Sequence, residues 1–169
     1  IRFRPGRTRK QWNRNVVAVG LSSGFLEPLE STSIYLIQSA VVRLLHFFPH
    51  AGVTPELVDE YNRQAQTEYE QIRDFIILHY YLNERDDSPF WHDTRTMDVP
   101  ERLKQKIELF RANGTLFQDQ YDIFLEPSWL QVMLGQGVIP RDYHPLADSL
   151  TVEQLRENLA NTRKLKLEP

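Results

Sequence analysis

The residues best suited to chemistry lie in one stretch, Gly20-Leu21-Ser22-Ser23-Gly24-Phe25-Leu26-Glu27-Pro28-Leu29-Glu30-Ser31-Thr32-Ser33-Ile34. Two carboxylates, Glu27 and Glu30, flank a proline that stiffens the backbone. A carboxylate held in such a turn can serve as a general base or stabilise developing positive charge. Ser31, Thr32 and Ser33 stand where a helix begins, and a helix start offers free backbone N–H groups and the positive end of the dipole to an anion. The glycines and serines upstream keep side chains small, so a flat or phosphorylated ligand can approach the backbone closely. The same residues also suit a purely structural role, with Ser31 or Thr32 capping the helix and Glu30 complementing its dipole.

The elements that must position this stretch follow from pattern. Val16-Val17-Ala18-Val19 is a short apolar run without alternation, which predicts a buried strand, central or parallel. A helix is predicted from about Thr32 to Phe48, apolar nearly all round and so buried on most sides. Thr54-Pro55-Glu56 combines an N-cap, a proline suited to the first turn and an acid at the positive end, opening a long amphipathic helix to about Leu82. Its acids read as a solvated face. Asp86-Asp87-Ser88-Pro89 signals a turn. Asp98 is predicted to cap a helix that closes near Asn113-Gly114. A short helix follows from Pro127 to about Leu134. Thr151 and Gln154 form a capping box for a last helix whose apolar face is Val152, Leu155 and Leu159. A lone buried strand is not a sheet, so partner strands are expected upstream, in a longer protein.

Composition narrows the function classes. The 169 residues are 41% hydrophobic and 25% charged, enough for a real core and unlike a disordered chain. With 20 basic and 23 acidic residues, a dedicated nucleic-acid binder is not expected. No cysteine is present, which excludes disulfides, thiolate metal sites and a cysteine nucleophile. No run is long and apolar enough to span a bilayer, so no membrane partner is expected. The basic run of Arg2, Arg4, Arg7, Arg9, Lys10 and Arg14 reads as a solvated edge, or alternatively as an anion contact. His46, His50, His79 and His144 lack metal-ligand spacing, so no metal is expected.

The run from Asn15 through Ser33 to Ile34, with its core Glu27-Pro28-Leu29-Glu30-Ser31-Thr32, closely resembles the flavin-dependent tryptophan halogenase family. Gly6-Arg7, Trp12-Asn13-Arg14-Asn15, Asp87-Ser88-Pro89-Phe90-Trp91 and the block from Trp129 to Gly137 also resemble that family. The resemblance implies an α/β, FAD-dependent monooxygenase-like fold for the whole protein. The chain itself is expected to be mostly α-helical, with one or a few strands near its N-terminus. Residues 1–48 would be the C-terminal end of the flavin-binding domain, and residues 49–169 a helical substrate-side region.

The resemblance also implies an activity. Reduced FAD and oxygen convert chloride or bromide to hypohalous acid, which halogenates an indole or related electron-rich arene. Carried over position by position, Glu30 matches the catalytic glutamate and Ser31 the serine beside it. Thr32 and Ser33 match halide-binding positions, although several tryptophan-specific members have glycine at the latter. Gly20, Leu21, Ser22, Gly24, Phe25, Leu26 and Ile34 would pass along the flavin. Tyr121 and Phe124 would line an aromatic substrate pocket, or belong to the core. The tandem tyrosines of tryptophan-specific members are not reproduced, so free tryptophan is not the expected substrate.

The family's catalytic lysine and a Gly-x-Gly-x-x-Gly fingerprint are not found in this sequence, and Trp-x-Trp-x-Ile-Pro is missing too. The chain alone is therefore expected to be inactive. Implied partners are a flavin reductase as the source of reduced FAD, the N-terminal remainder of the same protein, a small aromatic substrate and, as an open option, a second copy in a homodimer. The cytoplasm is the expected location. Two other functions remain open on sequence: a flavin-dependent hydroxylase of the same fold, and a helical interaction module without catalysis.

Overall fold

The computed structural model describes residues 5–167, with side chains through residue 164. Arg2 and Arg4 of the basic run lie outside the described residues. The described residues are mostly helical, with four two-residue strands among them, all near the N-terminal end. These are β1 (Gly6–Arg7), β2 (Trp12–Asn13), β3 (Val16–Val17) and β4 (Gly24–Phe25). The helices are α1 (Thr32–His46), α2 (Pro55–Tyr81), α3 (Pro89–Thr96), α4 (Glu101–Asn113), α5 (Glu126–Gly135) and α6 (Val152–Leu167).

The strand reading of Val16-Val17 needs correction in its partner and burial. β3 pairs antiparallel with β2, with Trp12 opposite Val17 and Asn13 opposite Val16. The hairpin closes through Arg14-Asn15, which puts Arg14 at φ 55°. Val16 is 62% exposed, so among the described residues this is no central strand. β1 pairs antiparallel with β4 across the intervening hairpin. Arg9, Lys10 and Arg14 are exposed, as the solvated-edge reading expects, while Arg7 is half-buried and its guanidinium bonds the Thr8 carbonyl.

α2 is the spine. Thr54 caps it by accepting from the Leu57 N–H, and Pro55 occupies the first turn. Apolar residues at helical spacing give it one continuous buried stripe, and successive parts of that stripe meet different neighbours. Tyr61 and Ala65 enclose Trp12 of the hairpin. Tyr69, Ile72 and Ile76 pack on Leu36 of α1. Phe75 and Leu78 join Leu103, Ile107 and Phe110 of α4 and Trp129 and Met133 of α5. Fully burying a side chain of this size contributes about 1.5–3 kcal/mol, so α2 carries much of the stability of all three clusters.

The expectation of a solvated acidic face on α2 fails at Glu68 and Asp74, which are both buried. Glu68 falls on the stripe itself and is neutralised there: Arg43 of α1 donates to its Oε2 at 2.7 Å and Ser39 at 2.8 Å. Asp74 accepts two bonds from Arg73, yet burial still raises its carboxyl above the ordinary range. α1 is buried on one side only, through Thr32, Leu36, Ala40 and Arg43. Its other faces present Ile34, Val42 and Leu45 at 67%, 65% and 69% exposure among the described residues. A helix apolar all round has been given only one of its neighbours here.

The remaining helices start and stop mostly where their punctuation demands. Gly114 takes φ 73° to close α4, and its N–H bonds the Phe110 carbonyl. Asp98 does not cap that helix. Pro100 holds the N-cap position, and Asp98 instead accepts from Lys104 at 2.8 Å. The Ser88-Pro89 turn signal opens α3, a helix that periodicity does not reveal because it is only 8 residues long. The capping box of α6 forms in both directions between Thr151 and Gln154.

Candidate active site

Pro28 leads into a short 3-10 turn, Leu29–Ser31, that delivers the chain to the start of α1. Within it Glu30 has φ 66° and Ser31 φ 52°, both left-handed. Such conformations cost non-glycine residues on the order of 1–3 kcal/mol each and persist where the surroundings impose them. The Ser31 N–H bonds the Pro28 carbonyl, and Thr32 behind it is buried, which fixes the turn at both ends. Ser31 occupies the N-cap position of α1 but makes no side-chain cap bond. The capping role open to it on sequence is therefore not used, and the first-turn amides of α1 keep their donor capacity. Thr32 and Ser33 are the first two residues of that turn.

The left-handed backbone turns the Glu30 carboxylate toward α2. Its Oε1 stands 3.4 Å from His79 Nε2. On the other ring nitrogen, His79 Nδ1 bonds the Phe75 carbonyl at 2.8 Å. The Phe75 ring lies edge-on to His79 at 4.9 Å and stacks on Phe124 at 3.8 Å. Glu27 lies beside Tyr80, the neighbour of His79, and the carboxylate helps burial raise that phenol above its ordinary range.

Gly20, Leu21 and Ser22 form a tight turn ahead of β4, with Gly20 at φ 67°. Ser23 is buried, and its hydroxyl lies 3.0 Å from the Tyr69 hydroxyl, which ties the turn to α2. Leu21, Ser22, Gly24 and Phe25 line one open, largely apolar cavity of about 680 Å³ together with Pro5, Gly6, Arg7 and Thr8. Gly24 permits the floor of this cavity to exist. A Cβ there would sit 2.8 Å from the Gly6 carbonyl oxygen and 2.9 Å from both Arg7 Cα and Tyr69 Cε1. Gly20 does not line the cavity, and a Cβ on it would face Ile37. Leu26 packs inward against the α1–α2 cluster, and Ile34 is exposed on α1.

The aromatic pair of the 117–125 stretch separates. Phe124 is clamped between Phe75 and the rest of the core, and its carbonyl accepts from Trp129 Nε1 at 3.0 Å. Tyr121 takes φ 69° and lines a separate cavity of about 280 Å³ with Arg63, Arg73 and Arg102.

Two features of this region were not visible in the sequence reading. One is His79, weighed there only as a metal ligand. The other is Lys106, buried with its Nζ 3.9 Å from the centre of the Trp129 ring and 3.4 Å from Asp122. Burial outweighs the neighbouring carboxylates and holds the Lys106 ammonium below its ordinary range. A signal for Glu68 did exist, because it falls in register with Tyr61, Ala65 and Ile72 on the stripe that must be buried.

The chain belongs to the tryptophan halogenase family, whose model matches residues 1–152. The tryptophan 7-halogenase RebH of Lentzea aerocolonigenes is 34% identical over 155 residues, covering 83% of this chain and 29% of that protein. The tryptophan 7-halogenase KtzQ of Kutzneria sp. is 41% identical over 161 residues, covering 86% of this chain and 30% of that protein. Among solved structures, Xcc4156, a flavin-dependent halogenase from Xanthomonas campestris, superposes with a TM-score of 0.92 at 48% identity, over 97% of this chain and 33% of that one. BrvH, a flavin-dependent halogenase from Brevundimonas sp. BAL3, gives 0.90 at 46% identity, again over 97% of this chain and 33% of that one. The chain thus has the fold of a segment of these proteins, and it spans under a third of the length of the curated relatives. No helix among the described residues is long and apolar enough to cross a membrane.

Proposed function

We propose that this chain is the C-terminal part of a FAD-dependent halogenase that acts on an indole or a related electron-rich arene, with Glu30 as its catalytic carboxylate. The observation that carries the reading is the left-handed pair Glu30-Ser31 at the head of α1. Backbone strain of this kind is retained where it aims a functional group. Here it aims a carboxylate beside a helix start that has no side-chain cap.

The residues divide the work. The cavity over Gly24, lined by Leu21, Ser22 and Phe25, is open and largely apolar, which suits one face of a flavin ring. Gly20, Leu26 and Ile34 lie outside that cavity and are not assigned to the flavin face. Bound reduced FAD, replenished by a flavin reductase, supplies the electrons that let oxygen oxidise chloride or bromide. The amides of Thr32 and Ser33 hold the halide at the helix start. Glu30 faces the arene and accepts the ring proton that leaves when the halogen takes its place. Ser31 keeps the carboxylate in its left-handed setting. Phe124 backs this side of the molecule only from the core, through Phe75, and Tyr121 stays with its own cavity, so neither residue is assigned to the arene.

Residues 1–48 then close the flavin-binding domain, and residues 49–169 form the substrate side. The exposed apolar flank of α1 is the surface on which the N-terminal remainder of the same protein packs. The working place is the cytoplasm, and a homodimer is compatible with the remaining surface.

The test uses the full-length protein with FAD, a flavin reductase, chloride or bromide, and a panel of indoles. A halogenated product is expected. Glu30→Gln should lower turnover by about 10²-fold or more, the usual size of a lost general base, while flavin affinity is unchanged. Hydroxylated product without halogen would favour a hydroxylase. Absence of both product and flavin binding would favour an interaction module.

A further inference from the structure

We propose that His79 is the positioning residue of Glu30: it holds the carboxylate in its working orientation and shares the proton that the carboxylate takes up. The inference rests on the reading of Glu30 as the catalytic carboxylate.

The geometry leaves little freedom. A backbone carbonyl has no proton to give, so the 2.8 Å bond between His79 Nδ1 and the Phe75 oxygen places a proton on Nδ1. The other nitrogen, Nε2, then lies 3.4 Å from Glu30 Oε1. With a neutral ring and an ionised carboxylate, that approach sets a lone pair against a negative oxygen. It becomes attractive when the pair holds one additional proton, on Nε2 or on the carboxylate. The two side chains therefore form a seat for one proton, and Glu30 is gripped most firmly at the moment it has received one.

The ring is also immobilised. It is edge-on to Phe75, Phe75 is buried, and Phe124 stacks on Phe75 in turn. His79 itself is 18% exposed by its side chain, while Glu30 is 41% exposed. The rigid partner is thus the histidine, and the mobile one the carboxylate. A flexible Glu side chain in a left-handed turn gains one defined direction from a ring fixed on the spine helix.

The test has one readout without turnover and one with it, both in the full-length protein. With ¹⁵N-labelled histidine, His79 Nδ1 should appear as a protonated nitrogen, and the Nε2 resonance should move in Glu30→Gln. An Nε2 signal indifferent to Glu30→Gln would overturn the proposal. In turnover, His79→Phe keeps a ring against Phe75 and removes both nitrogens. It should lower kcat about tenfold, an ordinary coupling between touching side chains, with the KM for the arene, flavin affinity and melting temperature unchanged. Glu30→Asp withdraws the carboxylate from the ring, so adding His79→Phe to it should cost little more. An equal loss in both backgrounds, or a wild-type kcat in His79→Phe, would overturn the positioning role. Wild-type turnover in Glu30→Gln would instead remove the reading of Glu30 as catalytic, whatever the nitrogen spectrum shows.

Discussion

Asn62 of α2 binds the backbone of Trp12 through both ends of its amide. Its Oδ1 accepts from the Trp12 N–H at 2.9 Å and from the Gln11 N–H at 2.7 Å, while its Nδ2 donates to the Trp12 carbonyl at 2.8 Å. A two-residue strand pair has almost no stability of its own. The hairpin of β2 and β3 is held because one side chain of the spine imitates a neighbouring strand.

Asn62→Ala should therefore loosen the whole N-terminal corner. It leaves part-buried backbone groups without partners, at about 1–3 kcal/mol each, softened where water can enter. A total loss of about 2–4 kcal/mol in urea unfolding is expected, with a shift in Trp12 emission. A variant within 0.5 kcal/mol of wild type, roughly the scatter of neutral surface changes, would show that packing around Trp12 suffices.

Gly24→Ala should displace β1 from β4, because two of the three close neighbours of the added methyl are backbone atoms that cannot rotate away. Overpacking of this kind costs about 1–3 kcal/mol. The cavity lined by Leu21, Ser22 and Phe25 would change shape with it, so flavin affinity should fall together with the melting temperature. Gly135→Ala is the control, since nothing beyond its chain neighbours and its own helix backbone lies within 4 Å of its Cβ position. An alanine at position 24 that leaves flavin affinity intact would dissociate this cavity from the flavin.

The Tyr35 phenol is pushed up to about 12 by burial and by the Glu68 carboxylate beside it. Because the folded value lies above the ordinary one, the neutral phenol contributes stability that is complete below about pH 10. That contribution is lost as the pH rises through the folded value of about 12. Alkaline titration at the phenolate absorbance should show a late step, absent in Tyr35→Phe. A titration in which Tyr35→Phe removes only an ordinary step would mean that neither burial nor Glu68 acts on the phenol.

Much of this architecture was legible one segment at a time. α2, α5 and α6 follow from caps, prolines and the period of apolar residues, all of which are local. The head of α1 could be recognised as a helix start beside two carboxylates for the same reason. What could not be read depends on distant partners. Val16-Val17 carries no mark of pairing with Trp12-Asn13 rather than with strands elsewhere. The direction of Glu30 depends on a left-handed φ that its residue type does not announce, and on a histidine brought to it only when α1 and α2 pack. The register of Glu68 marks it for burial, but its partner Arg43 comes from another helix and nothing local names it. α3 was hidden by its shortness, since one face of eight residues gives too few positions to establish a period.

Asn62, Glu68, Tyr69, Phe75 and His79 each engage a different neighbour from the same rod. In an α-helix a single inserted residue rotates everything beyond it by about 100°. An insertion midway along α2 would leave the hairpin in place and swing His79 away from Glu30, without touching either residue. The spacing within this rod acts as a ruler that sets where the carboxylate points.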